Sequence, residues 1–297
     1  VSAGAVYVFV RSEASWSQQA YIKASNAGAS DGFGRSVSLG EDGNTLAVGA
    51  ENEDSNATGI NGDQTNNTAS SSGAAYVFTR SGTSWSQQAY IKASNTDAGD
   101  VFGLIVSLST DGNTLAVSAQ SEASNASGIN GDQTDNSVAG SGAAYVFVRS
   151  GVSWSQQAYI KASNAEASDY LSYSMNLSAD GNTLAVGTPY EDSNAVGING
   201  DQTNNSAVTA GAAYVFSRTG TSWSQQAYIK ASNAEANDWF GVMLSLSANG
   251  NTLAVGGSND DSNATGINGD QANNTVTGSG AVYVFERSGT SWSQQAY

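Results

Sequence analysis

Hydrophobic and polar positions follow a short, strand-like rhythm along the chain. Ser36-Val37-Ser38-Leu39 alternates and runs into Glu41-Asp42-Gly43-Asn44, a strong hairpin turn signal. Thr45 to Ala50 reads as the return strand, and a polar loop follows from Glu51 to Ser72. Ala74-Ala75-Tyr76-Val77-Phe78 is apolar on both faces, as expected of a strand held between neighbouring sheets. Arg80-Ser81-Gly82-Thr83 turns the chain. Trp85, Gln87, Ala89, Ile91 and Ala93 then share one face of a fourth strand, with Ser86, Gln88, Tyr90 and Lys92 opposite. The pattern predicts strands near 34–40, 45–50, 73–80 and 85–93, with Asn95 to Asp100 as a linker. No long segment keeps apolar residues at helical spacing, so helix is nearly excluded.

The same pattern returns at a fixed interval. Gly-Ala-(Val/Ala)-Tyr-Val-Phe begins at Gly4, Gly73, Gly142, Gly211 and Gly280, a period of 69 residues. Trp-Ser-Gln-Gln-Ala-Tyr-Ile-Lys-Ala-Ser-Asn begins at Trp16, Trp85, Trp154 and Trp223 without a change, and its first six residues return at Trp292. Gly-Asn-Thr-Leu-Ala-Val begins at Gly43, Gly112, Gly181 and Gly250. The chain divides into a partial repeat at 1–33 (two strands and a linker), full repeats at 34–102, 103–171 and 172–240, and a shortened one at 241–297. One small four-stranded sheet cannot bury two faces alone, so adjacent units must stack. The expected fold is all-β: tandem four-stranded antiparallel blades, β-propeller-like, as a closed ring or an open stacked, filamentous array. The residues 4–21 and 280–297 occupy one register, which favours a window on a longer array.

Phe33-Gly34, Phe102-Gly103 and Phe240-Gly241 precede the first strand of their units, and the third unit departs with Leu171-Ser172. The second strand ends Val48-Gly49-Ala50, Val117-Ser118-Ala119, Val186-Gly187-Thr188-Pro189 and Val255-Gly256-Gly257. Together with the Gly-Ala-Val-Tyr-Val-Phe strand, these marks resemble the FG-GAP repeat of integrin α-subunit β-propellers and their bacterial relatives. The resemblance implies a propeller, an extracellular or cell-surface setting, and adhesion or ligand binding without catalysis. Many members carry a calcium loop between the first two strands. Here that hairpin is only Glu41-Asp42-Gly43-Asn44, too short for the site to be carried over.

Composition narrows the chemistry. Cysteine and histidine are both absent, which removes disulfides, thiolate sites, the commonest zinc ligand and every Ser-His-Asp arrangement. A net charge of −16 repels phosphate backbones and anionic lipid, so neither nucleic acid nor membrane insertion is expected. The acidic positions recur unit after unit, whereas an active site breaks the symmetry of its scaffold. The expectation is therefore no enzyme.

The polar loop is the one candidate site. Asp54, Asn56, Asn61 and Asp63 recur as Asp192, Asn194, Asn199 and Asp201, and as Asp261, Asn263, Asn268 and Asp270. The second unit has Ala123 in place of the first aspartate. Calcium takes six to eight oxygens of this kind, so calcium is the one cofactor the loop suits. The competing reading is Asx-turns packed around Ile60, Ile129, Ile198 and Ile267 as a small loop core. Trp16 and its equivalents are expected in the blade core, and Lys23, Lys92, Lys161 and Lys230 on an exposed edge strand. Asn-x-Ser/Thr acceptors stand at Asn56, Asn66, Asn125, Asn204, Asn263 and Asn273. These observations lead to a non-catalytic extracellular structural protein in a surface or matrix fibre, with copies of itself as partners. The alternative is a closed adhesin-like propeller that takes a glycan or protein ligand.

Overall fold

The computed structural model describes residues 2–297. Strands β1 (Val6–Ser12) and β2 (Ser15–Ile22) pair as a two-stranded sheet. The first full unit forms a four-stranded antiparallel sheet from β3 (Val37–Leu39), β4 (Thr45–Ala50), β5 (Ala74–Ser81) and β6 (Ser84–Ile91). The second repeats it with β7 (Val106–Leu108), β8 (Thr114–Ala119), β9 (Ala143–Ser150) and β10 (Ser153–Ile160). The third uses β11 (Ser174–Leu177), β12 (Thr183–Thr188), β13 (Ala212–Thr219) and β14 (Ser222–Ile229). The fourth uses β15 (Phe240–Leu246), β16 (Thr252–Gly257), β17 (Ala281–Ser288) and β18 (Ser291–Ala296). No helix occurs among the described residues. The fold is all-β, as the pattern predicts; the first strand of units one to three is shorter than expected, and the fourth strand of the first unit ends at Ile91.

Each sheet is a meander, so every hairpin joins hydrogen-bonded neighbours. The first strands touch in sequence, β3 with β7, β7 with β11 and β11 with β15, and form the inner side of a propeller-like stack. The core lies between blades. Val77 and Ile91 of the first blade pack with Phe102, Tyr145, Phe147 and Trp154 around the second. The Phe-Gly pair serves this contact. Phe102 is fully buried, edge-on to Tyr145 and Phe147. Gly103 has φ 89°, and a Cβ there would lie 2.2 Å from the Ala74 carbonyl oxygen. Ser172, the departure in the third unit, adopts φ 72° and turns the close approach into a hydrogen bond, Oγ to the Ala143 carbonyl at 2.7 Å.

Three expectations are corrected by the structure: alternation along the fourth strand, Trp16 in the core and the lysines at an edge. Strict alternation along the fourth strand fails, because the register shifts between Val77 and Phe78, whose partners are Ala89 and Gln87. This bulge leaves Gln88 outside the ladder and re-aims it at the next blade. Its Oε1 accepts Trp154 Nε1 at 2.9 Å and Arg149 Nη1 at 3.3 Å. Four tryptophans keep this inter-blade role, whereas Trp16 is 67% exposed. The lysines do not blunt an edge either: Lys92, Lys161 and Lys230 are wholly buried. The polar loop folds back over the strand end, with Ile60 bridged to Ile91 and the Lys92 amide donating to the Gly59 carbonyl.

Candidate functional site

Under each polar loop lies a buried polar network. Lys161 Nζ donates to Glu122 Oε2 at 2.8 Å and to Ser141 Oγ at 2.5 Å. Glu122 Oε1 accepts from the Tyr159 hydroxyl and from Asn95 Nδ2, while the Tyr145 hydroxyl donates to Asn95 Oδ1. The Glu53–Lys92 and Glu191–Lys230 pairs repeat the ion pair at 2.9 and 2.8 Å. Burial lowers each lysine pKa, and the adjacent carboxylate opposes that shift. Nearby, burial pushes the carboxyls of Asp100, Asp169 and Asp238 up to about 7, 8 and 7, against backbone N–H donors that favour ionisation. Every group here has its partner, so the network is structural.

The loop residues proposed as cation ligands are spread along the loop. Asp54 Oδ1 accepts the Ser71 amide, Asn61 Oδ1 the Tyr90 amide, and Asp63 Oδ1 the Thr65 amide. Asp192, Asn199 and Asp201 make the same bonds to Thr209, Tyr228 and Thr203. Asp261, Asn268 and Asp270 accept from Gly278, Tyr297 and Ala272. Asn194 and Asn263 donate their backbone N–H groups to the backbone carbonyls of Asn204 and Asn273. No group of three or more acidic side chains converges among the described residues. A cation here would have to use the lone pairs these bonds leave over.

A different set of residues does converge. A cavity of about 430 Å³ lies where inner strands meet, lined by Arg35, Leu104, Ile105, Gln120, Tyr173 and Met243, residues drawn from four units. Larger hollows at the rim, about 620 and 550 Å³, are lined by repeated residues such as Trp292 and Gln226, or Trp85 and Gln19, and offer the same surface each time. The inner cavity does not repeat. One register position carries Arg35, Leu104, Tyr173 and Val242; a second carries Glu51, Gln120, Pro189 and Ser258; a third carries Gly32, Val101, Tyr170 and Trp239.

The first unit supplies charge. Arg35 Nε lies 3.7 Å from Glu51 Oε1, with side chains 61% and 14% exposed. Burial raises the Glu51 pKa, and Arg35 partly offsets it. Glu51 Oε2 and Gln120 Oε1 are buried atoms without a hydrogen-bond partner. Gly32 makes room for this carboxylate, since a Cβ there would come 2.7 Å from Glu51 Oε2. The third unit and the end of the second supply aromatic surface instead. Tyr190 packs against Tyr170, Tyr173 and Trp239 at centroid distances of 5.5, 5.8 and 5.9 Å. Val101, Tyr170 and Trp239 hold φ of 53°, 53° and 56°, a left-handed backbone that bulky residues rarely adopt. Sequence reasoning passed over these residues. Their signal was their departure from an otherwise near-verbatim repeat.

Solved structures of similar fold include the periplasmic gluconolactonase PpgL of Pseudomonas aeruginosa, at TM-score 0.52 and 16% identity over 100% of this chain and 65% of that one. A protein of Bacteroides uniformis, provisionally described as a 6-phosphogluconolactonase, gives TM-score 0.51 and 12% identity over 98% of this chain and 62% of its own. The chain thus spans less than two thirds of either structure. No curated protein matches it in sequence. These likenesses establish the fold, and they correct the expectation of a non-catalytic fibre or adhesin: structures of this architecture are named for lactone chemistry, so the fold gives no ground for excluding an enzyme. The FG-GAP repeat pattern matches residues 16–78, 85–147, 154–216 and 223–285, most of the sequence, and the chain belongs to the FG-GAP repeat family.

Proposed function

We propose that the inner cavity is an enzyme site for a small cyclic sugar ester, a lactone, which it opens by hydrolysis. One observation carries this reading. In a repeat copied nearly verbatim, Arg35, Gln120 and Tyr173, which differ from unit to unit, meet in one cavity, with Glu51 against Arg35 and Tyr190 packed against Tyr173. Tyr173 and Tyr190 suit the CH faces of a sugar ring. The names of the two structural neighbours favour an ester over other sugar chemistry.

In the hydrolysis, water adds to the carbonyl carbon, and the ring oxygen leaves with a proton to give the hydroxy acid. Glu51 accepts the proton from water and returns it to the ring oxygen. The Gln120 amide and Tyr173 hydroxyl are the donors for charge developing on the carbonyl oxygen. Because burial raises the Glu51 pKa, the base form accumulates, and the rate climbs, as pH rises through a value above the ordinary glutamate range. The test is proton release from glucono-δ-lactone at mildly acidic pH. The wild-type chain should exceed the buffer rate, and Glu51→Gln should lose about a hundredfold of that acceleration. A wild-type rate equal to buffer overturns the proposal.

A further inference from the structure

The inner cavity has one cation in its wall. The chain has ten Lys and Arg residues. Lys92, Lys161 and Lys230 are spent in buried pairs with Glu53, Glu122 and Glu191. Arg80, Arg149, Arg218 and Arg287 lie over Trp85, Trp154, Trp223 and Trp292, and their Nε atoms bond Asn44, Asn113, Asn182 and Asn251. Lys23 donates to the Gly4 carbonyl and Arg11 to that of Glu13. Among the described residues this leaves Arg35, in the wall of the inner cavity.

Its surroundings make it available to a ligand. The contact with Glu51 is long, 3.7 Å, and is made through Nε, which leaves the guanidinium fork free. The equivalent positions are Leu104, Tyr173 and Val242, so the blade scaffold does not require arginine there. On a chain of net charge −16, an exposed guanidinium in a cavity is a local reversal of the field. The aromatic residues stand in the other half of the site, contributed by unit three and the end of unit two. A ligand that fits both halves presents a ring to Tyr173 and an oxyanion to Arg35.

Building on the lactone reading, we infer that the substrate carries an anionic group, a phosphate or a carboxylate, which Arg35 anchors. Three probes separate the sources: glucose 6-phosphate carries only the phosphate, gluconate only the carboxylate, and glucitol neither. Calorimetric titration of the full chain should show one of the anions binding at least about tenfold tighter than glucitol. Arg35→Met should erase that advantage and Arg35→Lys should retain part of it. Arg35 is mostly exposed, so both variants should melt with the wild type, which separates lost binding from lost folding. Equal affinity for all three probes, binding of none, or an anion preference that survives Arg35→Met overturns the inference. The lactone reading fails separately: Arg35-dependent anion binding without any hydrolysis would sink the enzyme and keep the anchor, whereas hydrolysis of neutral and phosphorylated lactones at one rate, unchanged in Arg35→Met, would do the reverse.

Discussion

The second and third units bury the same ion pair under their loops and share almost no side chains at their inner ends. Glu122–Lys161 and Glu191–Lys230 are copies down to a 2.8 Å bond, each capped by tyrosine and asparagine. A few residues away, Leu104 and Gln120 face Tyr173 and Pro189 in register, and neither pair is an exchange of like for like. The difference is physical. A buried ion pair needs both partners in place, because losing either leaves the other charge buried and unpaired, whereas the Ser141 hydroxyl beside Lys161 is replaced by Ala210 beside Lys230 with the pair intact. The inner ends lie at an open cavity, where a side chain meets solvent or ligand and can change without unfolding the blade.

The contrast breaks most visibly in the network. Lys161→Met leaves Glu122 buried and unpaired, and should cost about 3–5 kcal/mol in urea unfolding. Tyr190→Ala, which removes a far larger side chain from the half-exposed inner cluster, should cost less than that. Gly103→Ala should come next, at about 2 kcal/mol, because its Cβ meets the Ala74 carbonyl from a left-handed backbone.

A third effect depends on pH. Asp100, Asp169 and Asp238 keep their protons in the folded chain up to about pH 7, 8 and 7, whereas the unfolded chain releases them near the ordinary aspartate value. Between those limits the unfolded state binds fewer protons, so stability declines as pH rises through the window. The melting temperature should be higher at pH 5 than at pH 8, and Asp169→Asn should flatten the slope. Asp63, Asp132 and Asp201 act the other way: Thr65, Thr134 and Thr203 donate to them and hold their pKa values low, so their contribution is lost only in stronger acid. The smallest effect belongs to the loop. Asp54→Ala removes the acceptor of the Ser71 amide and should cost about 1 kcal/mol, a change the second unit already carries at Ala123.

Most of the fold was legible because strands and hairpins are written locally. Glu41-Asp42-Gly43-Asn44 makes its turn, and Thr45–Ala50 and Ala74–Ser81 fall where alternation and apolar runs put them. The lysines were not legible, since their burial depends on a loop that returns from some thirty residues earlier in the chain to cover the strand end. The bulge at Gln88 was hidden for a similar reason. It is set by the tryptophan and arginine of the following blade, 66 and 61 residues away. The inner site was present in the sequence as broken repetition at Arg35, Glu51, Tyr173, Tyr190 and Trp239. Periodicity showed where the repeats agree, and only the curve of the inner strands shows that the disagreements meet.

The account turns on that cavity, and hydrolysis by a paired aromatic variant tests it most directly. Tyr173→Ala/Tyr190→Ala removes the tyrosine in the cavity wall and the one packed against it, and leaves Glu51, Arg35 and all three buried ion pairs in place. The expected result is a lactone hydrolysis rate at least about tenfold below wild type, at substrate concentrations below saturation, in a chain that keeps its strand-rich circular dichroism spectrum and cooperative melt. A folded double variant that opens the lactone as fast as the wild type would contradict the placement of the active site.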